Sequence, residues 1–257
     1  MKLRLLVLNF FISIFSFTSV YAATWQLTIS PVRKLPKDSG TYQHITVNRY
    51  KHFPIDVDMI LLKKNHYQAR LLSQNWSDAK TLAQVSDEQG AMVAINGGFY
   101  REQFKPNGLL MLDGKKYTRF VSNDLLSAII NINKQGELAI YAKKAYQHAK
   151  LYSAFQAGPL LYDQNKENVV YGNKLRQRSI LVIFNNGDIG IFYFSPVSIS
   201  DVISVLNQVA QKIDQVIKSA TNLDGGVASS FVVNFKHNPI IRLESQPVKM
   251  VLLFFNQ

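Results

Sequence analysis

The chain has 257 residues, no cysteine, 29 Lys and Arg against 17 Asp and Glu, and a formal charge of +12 at pH 7. That length suits one domain with a substantial core, and the lack of cysteine excludes a small disulfide-stapled scaffold. The Lys and Arg are scattered, with no arginine-rich run, so no nucleic-acid partner is expected; anionic substrates, anionic envelope polymers or simply a soluble basic surface account for the charge.

Lys2 and Arg4 precede a mostly apolar run over residues 5–17, and Val20-Tyr21-Ala22 has small residues at cleavage-site spacing. This reads as a secretory signal peptide over residues 1–22, with the mature domain over 23–257 and a periplasmic or secreted bacterial location. The apolar run is shorter than the ~20 residues a membrane span needs, so membrane attachment arises only if the segment stays uncleaved. Without Lys2 and Arg4 the charge falls from +12 to about +10.

Alternation predicts strands at Trp25–Ile29, Ile55–Leu62 and Tyr67–Ser73. Ser77 is in place to cap a helix over residues 78–88 that Gly90 stops, and a strand over 91–95 then delivers Asn96. Asn107-Gly108 and Asp113-Gly114 are turn signals around an apolar stretch at 109–112. A strand over 125–132 pairs with 137–141 across Asn133-Lys134-Gln135-Gly136, and residues 158–162 form another short strand. Residues 179–184 and 189–194 flank Asn185-Asn186-Gly187-Asp188, the clearest hairpin signal in the chain. Val202, Val205, Leu206, Val209, Ile213 and Val216 recur at three- and four-residue steps, which predicts one long amphipathic helix capped by Ser198 or Ser200. Strands follow at 230–235 and 248–255. Strand-rich order with two helices predicts an α+β fold, a single domain with a mixed, mainly antiparallel sheet and helices packed against it.

Two segments carry the chemistry: Ala94-Ile95-Asn96-Gly97-Gly98-Phe99-Tyr100 and Asn222-Leu223-Asp224-Gly225-Gly226-Val227-Ala228-Ser229-Ser230. Each reads as a short apolar strand ending in Asn or Asp and then turning on glycines, which tolerate positive φ and close approach. Asp224 is either a catalytic or ligand-orienting carboxylate or a turn Asp bonding its own backbone. Asn96 can donate and accept as sugar hydroxyls require, and amides beside Gly97 and Gly98 can hold an anion. Ser229 and Ser230 supply hydroxyls but have no assignable general base, so a serine nucleophile is unsupported. Arg178 suits bidentate phosphate contact, with Arg176 competing for that role. Phosphate loops and helical zinc motifs are absent, and His44, His52, His66, His148 and His237 are too widely spaced for a histidine metal site. No cofactor is expected, although Asp and Asn oxygens leave a divalent cation open.

Five pieces in order resemble the phosphodiester glycosidase domain, the family of N-acetylglucosamine-1-phosphodiester alpha-N-acetylglucosaminidase and its bacterial secreted branch. They are Ile95-Asn96-Gly97-Gly98-Phe99, Pro106-Asn107-Gly108-Leu109, Ala157-Gly158-Pro159-Leu160, Arg178-Ser179-Ile180, and Asn222-Leu223-Asp224-Gly225-Gly226 with Ser229-Ser230. The chain departs from the family where Ser179-Ile180 replaces Thr-Ala and Val227 replaces a third glycine. The resemblance implies a hydrolase that cleaves the glycosidic bond of a sugar-1-phosphodiester, on a small sugar phosphate or an envelope glycopolymer. Asp224, Arg178 and Asn96 would be catalytic, and Gly97, Gly98, Phe99, Asn107, Gly158, Gly225, Gly226, Ser229 and Ser230 would bind substrate. Asp163, Asp113 and Glu102 are candidates for a second carboxylate. The alternatives are a non-catalytic envelope module binding glycan or phosphate polymer, and a cation-assisted phosphodiesterase that breaks the P–O bond.

Overall fold

The computed structural model describes residues 25–49, 53–146 and 149–257. The expected signal peptide, His52 and His148 lie outside those residues. The architecture is α+β: two α-helices and many strands, with every ladder among the described residues antiparallel. The expected sheet resolves into three, plus a two-stranded ribbon.

The largest sheet orders Trp25–Ile29, Gly40–Arg49, Ile55–Leu62, Ile189–Val197, Arg176–Phe184, Ile217–Asn222, Leu160–Asp163 and Lys166–Glu167, with Arg33–Lys34 beside Gly40–Arg49. A second sheet runs Ile240–Arg242, Phe231–Val233, Val93–Asn96, Met250–Asn256 and Tyr67–Ser73. A third is built from the segments around Leu110–Leu112, Ala128–Ile132 and Ser153–Ala157. One face of the large sheet buries Ile60, Leu181 and Ile191 with Ile95, Phe231, Leu252 and Phe155 of the other two sheets. Its other face buries Ile180, Val182 and Phe194 under Val202, Leu206 and Val209 of the helix Ile199–Lys212. The helix Leu82–Gln89 covers the outer face of the second sheet through Leu82 and Val85. Apolar burial at ~25 cal/mol per Å² thus acts on both faces of two sheets and locks their strand ends together.

Local signals explain most boundaries. Ser198 caps the long helix by accepting from Asp201 N, and the apolar stripe is buried through Ala210. The helix ends at Lys212, however, and Val216 is exposed, because the chain must turn there to enter Ile217–Asn222. Ser77 caps nothing. Thr81 does so through a capping box with Gln84, so the first helix starts at Leu82 and not at 78, and Gly90 ends it in the left-handed region. Asp113 and Gly114 both have positive φ, as the hairpin turn before Lys115–Thr118 requires. The ten-residue strand Gly40–Arg49 has no counterpart in the sequence expectations. Its pattern is blurred by His44, Thr46 and Asn48, and it is held as a strand by partners on both sides. No helix among the described residues is long and apolar enough to cross a membrane.

Candidate active site at the seam of two sheets

Strands Val93–Asn96 and Ile217–Asn222 belong to different sheets, and their ends meet at the seam. The join is Asn96, which is fully buried. Its Nδ2 donates to the Asp224 carbonyl at 2.8 Å, while its Oδ1 accepts from Ser179 Oγ at 2.6 Å and from the Ser230 amide at 3.0 Å. The Asp224 amide in turn donates to the Gly97 carbonyl at 3.0 Å. One amide side chain therefore ties four segments into a single loop cluster. The expectation that Asn96 offers its amide to a sugar is corrected: both of its ends are spent inside the protein.

Asp224 is the group this cluster presents. It is partly exposed and follows the fully buried Leu223. Its Oδ1 accepts from the Gly225 amide at 2.8 Å, and it forms no ion pair among the described residues. Desolvation dominates, so the carboxyl is raised from 3.8 to about 7, with the Gly225 hydrogen bond pulling weakly the other way. A carboxyl that titrates near neutrality is suited to proton transfer at working pH. Tyr100 feels this charge. Burial first, then the charges of Asp224 and Glu244, raise its phenol, whose hydroxyl donates to the Pro247 carbonyl at 2.9 Å.

Arg178 stands beside the same loop. A Cβ on Gly225 would lie 3.8 Å from Arg178 Nη1, and one on Gly226 would lie 3.3 Å from an Arg176 Nη1. Arg178 donates to the carbonyls of Val197 and Lys174 at 3.4 and 3.1 Å, and neither arginine has a carboxylate partner among the described residues. Burial, and then the charge of Arg176, lower the Arg178 guanidinium below its ordinary value. Two like charges held together without a counter-ion make an anion site.

The remaining site residues divide. Gly226 alone of the four glycines in the two pairs has positive φ, at 64°. Gly97, Gly98 and Gly225 are there for close approach: a Cβ on Gly97 would meet Met250 Cβ at 2.8 Å, and one on Gly98 the Gln156 carbonyl at 2.6 Å. The Gly97 amide is not free for an anion, because it donates to Met250 O at 2.7 Å. Gly158, preceding a cis peptide to Pro159, exchanges hydrogen bonds with Asn222 through backbone and Nδ2. Phe99 and Asn107 are partly exposed and joined by one backbone bond of 2.8 Å. Ser229 and Ser230 are 2% and 0% exposed, so their hydroxyls face the interior; Ser229 Oγ has no partner among the described residues, and Ser230 Oγ reaches Ala228 O at 3.4 Å. Of the candidate second carboxylates, Asp163 pairs with Lys144, Asp113 bonds Ser153, and Glu102 is exposed on a short turn. The carboxylate that shares Tyr100 with Asp224 is instead Glu244, brought in by the Ile240–Arg242 strand with no local sequence signal. Asn222 was also missed, though its position before Leu223-Asp224 echoes Asn96 before Gly97. Among the described residues no three His, Cys, Asp or Glu side chains converge.

Residues 89–255 match the family model for phosphodiester glycosidase. In overall fold the chain is similar to a hypothetical protein from Synechocystis, with TM-score 0.67 and 16% identity, covering 89% of this chain and 64% of that one. It thus spans a little under two thirds of that protein's length. It is also similar to zebrafish N-acetylglucosamine-1-phosphodiester alpha-N-acetylglucosaminidase, in the form of a catalytic domain auto-inhibited by its pro-peptide. There the TM-score is 0.59 and the identity 13%, over 93% of this chain and 85% of that one. A protein from Burkholderia pseudomallei follows, with TM-score 0.55 and 11% identity, over 79% and 74%. No curated protein sequence matches.

Proposed function

The chain belongs to the phosphodiester glycosidase family, and on that premise we propose that it hydrolyses a sugar-1-phosphodiester at the glycosidic C–O bond, with Asp224 and Arg178 as its catalytic residues. The observation that carries this reading is a carboxyl raised to about 7 on a loop whose Gly225 and Gly226 lie beside an arginine pair on the neighbouring strand, neither arginine having a counter-ion among the described residues. Those two groups supply what the reaction needs. A phosphate monoester is a good leaving group, so cationic help for it and one carboxylate at the anomeric carbon are the main requirements.

In this mechanism Arg178, backed by Arg176, holds the phosphate oxygens and stabilises charge as the C1–O bond breaks. The bonding pair leaves with the phosphate oxygen. A water oxygen forms the new bond to C1, and ionised Asp224 accepts its proton. The products are a free reducing sugar and a phosphate monoester. Asn96 acts as a positioning residue, because it holds the Asp224 carbonyl and the Ser230 amide in register. Phe99 and Asn107, at the partly exposed rim, are the candidates for sugar contact. Export by a cleaved leader belongs to the same proposal, supported by Lys2 and Arg4 before the apolar run and by Val20-Tyr21-Ala22. N-terminal sequencing of protein recovered outside the cytoplasm should begin at Ala23.

The test is hydrolysis of a panel of sugar-1-phosphodiesters in water enriched in oxygen-18. Label in the sugar supports C–O cleavage; label in the phosphate means P–O cleavage, and a chelator then separates a cation-assisted reaction. Arg178→Lys keeps the charge but loses the fork, and should lower kcat/KM by roughly 10²-fold, the range for losing one preorganised transition-state donor. If the whole panel is inert yet envelope glycans bind, the chain is a binding module.

A further inference from the structure

A cavity of about 1000 Å³ is lined by Arg178 and Arg176 but not by Asp224. Its lining includes the motif residue Pro159 with Leu160 and Ser127. Gly158 brings Pro159 close to Leu125, another lining residue, since a Cβ there would lie 2.0 Å from the Leu125 carbonyl. The cavity therefore shares Arg178 and the motif residue Pro159 with the candidate site.

Its size and lining do not match a lone sugar phosphate. The volume is at the upper end of the ~300–1,000 Å³ that buries a drug-sized ligand. Five cations line it: Lys143, Lys144, Lys174, Arg176 and Arg178. Asp124 and Asp163 also line it and pair with Lys143 at 2.8 Å and Lys144 at 3.5 Å. Lys174, Arg176 and Arg178 form no ion pair among the described residues, so three positive charges in the lining stand uncompensated. The lining also carries exposed apolar and aromatic groups, with Val169 at 76% and Tyr171 at 90%. Tyrosine faces and small aliphatic groups suit the apolar side of a sugar ring, and guanidinium and ammonium groups suit phosphate. A lining that combines unpaired cations with apolar and aromatic surface is complementary to a ligand that combines phosphates with sugar rings.

We infer that this cavity is an acceptor-side subsite that takes a chain of sugar-phosphate repeats, so that the preferred substrate is a polyphosphodiester rather than a single diester. The inference rests on the hydrolase reading of Asp224 and Arg178 and adds to it the class of acceptor. Nucleic acid is also a polyanion, but it presents bases rather than hydrated sugar faces between its phosphates, and the cavity offers a single exposed aromatic for stacking.

The test compares one sugar-1-phosphate diester with a four-repeat oligomer of the same unit, hydrolysed by the full chain and by the Lys144→Glu/Lys174→Glu double variant. The readout is the ratio of kcat/KM for oligomer over single diester, at about 50 mM and about 500 mM salt. At low salt the ratio should be roughly tenfold or more for the wild type and should collapse toward one in the variant and at high salt, as phosphate contacts do. A ratio near one for the wild type, or one the variant does not change, overturns the inference. The milder Lys144→Gln/Lys174→Gln pair, checked by thermal unfolding, stands in if the charge reversal misfolds. If neither substrate is cleaved, the hydrolase reading has failed by itself, and fluorescence anisotropy of end-labelled oligomer decides the groove: tight, salt-sensitive binding lost in the double variant supports it, and binding the variant leaves intact overturns it. Equal competition by single-stranded DNA of matched charge overturns the sugar-phosphate assignment in favour of a general polyanion surface.

Discussion

Replacing Asp224 with Asn should make the protein more stable and nearly inactive, and the stability gain should depend on pH in a definite direction. The carboxyl is raised from 3.8 to about 7 by burial, and it forms no ion pair among the described residues. Below pH 3.8 the group is neutral in the folded and unfolded chain, and its burial costs the same in both variants. Between 3.8 and about 7 the unfolded chain ionises while the folded one resists, so folding is progressively penalised. Above about 7 the penalty is complete. At ~1.4 kcal/mol for each factor of ten in proton affinity, the full penalty is about 4 kcal/mol, an upper figure because a partly exposed loop can relax. Asn is nearly the same shape and retains an oxygen for the Gly225 amide, now 2.8 Å from Asp224 Oδ1.

Urea unfolding of wild type and Asp224→Asn at about pH 4 and about pH 8.5 checks this. The two should be nearly equal at the lower pH, and Asn should be the more stable by about 2–4 kcal/mol at the higher. Hydrolysis should fall by roughly 10²–10⁴-fold, the usual contribution of a positioned general base. Wild-type kcat/KM should rise with pH to a plateau above about 7, and that limb should vanish in the variant. A stability difference that is flat with pH, or larger at pH 4, would refute the claim that this carboxylate is held desolvated.

The other expectations concern how the seam is built. Asn96→Ala leaves Ser179 Oγ, the Ser230 amide and the Asp224 carbonyl without their partner, so chemical denaturation should show a loss of about 3 kcal/mol or more, along with loss of turnover. Ser229→Ala removes a buried hydroxyl that bonds nothing among the described residues; it should be neutral to about 1 kcal/mol stabilising and keep near-wild-type turnover, whereas a collapse in kcat would return Ser229 to the chemistry. Gly158→Ala places a methyl 2.0 Å from the Leu125 carbonyl and should lower stability by about 3 kcal/mol, read as a shift in the thermal midpoint.

Much of the scaffold is legible locally. The stripe on Ile199–Lys212 and the hairpin of Arg176–Phe184 with Ile189–Val197 follow from periodicity and turn residues, because each element's partner lies next to it in the chain. The box Thr81-x-x-Gln84 was equally readable, and it outcompetes Ser77, which has Lys80 and not Glu or Gln three residues on. The strand Ile217–Asn222 is different. Its sequence, Ile-Lys-Ser-Ala-Thr-Asn, has little apolar content, yet four of its six residues in succession are buried, because it lies inside the large sheet with neighbours on both sides. Asp224 stands out in the sequence because a carboxylate before two glycines is conspicuous. The role of Asn96 does not, because its partners are 83, 128 and 134 residues away, and nothing local distinguishes an Asn that binds a ligand from one that pins a seam.

That distinction changes what the glycine motifs are for. Met250, Gln156, Gln177 and Leu125 crowd Gly97, Gly98, Gly225 and Gly158 at distances no side chain tolerates without movement or close fitting. Three motifs that look like ligand loops are thus places of close backbone packing: Gly98 meets Gln156 of another sheet, while Gly97 and Gly225 press on Met250 and Gln177 of the sheets they leave. Their packing excludes water from the inner side of the Asp224 loop, and exclusion of water is the cause of its raised carboxyl. Two buried polar atoms without partners among the described residues, Asn222 Oδ1 and Ser229 Oγ, sit on the same short stretch of chain as that carboxyl. The seam is therefore unfavourable in several ways at once and is held by the cores on either side of it. On this account the glycines act on Asp224 and not on substrate. A bulkier residue at Gly97 that still folds should lower the Asp224 pKa before it weakens substrate binding, a shift that carboxyl NMR titration can follow.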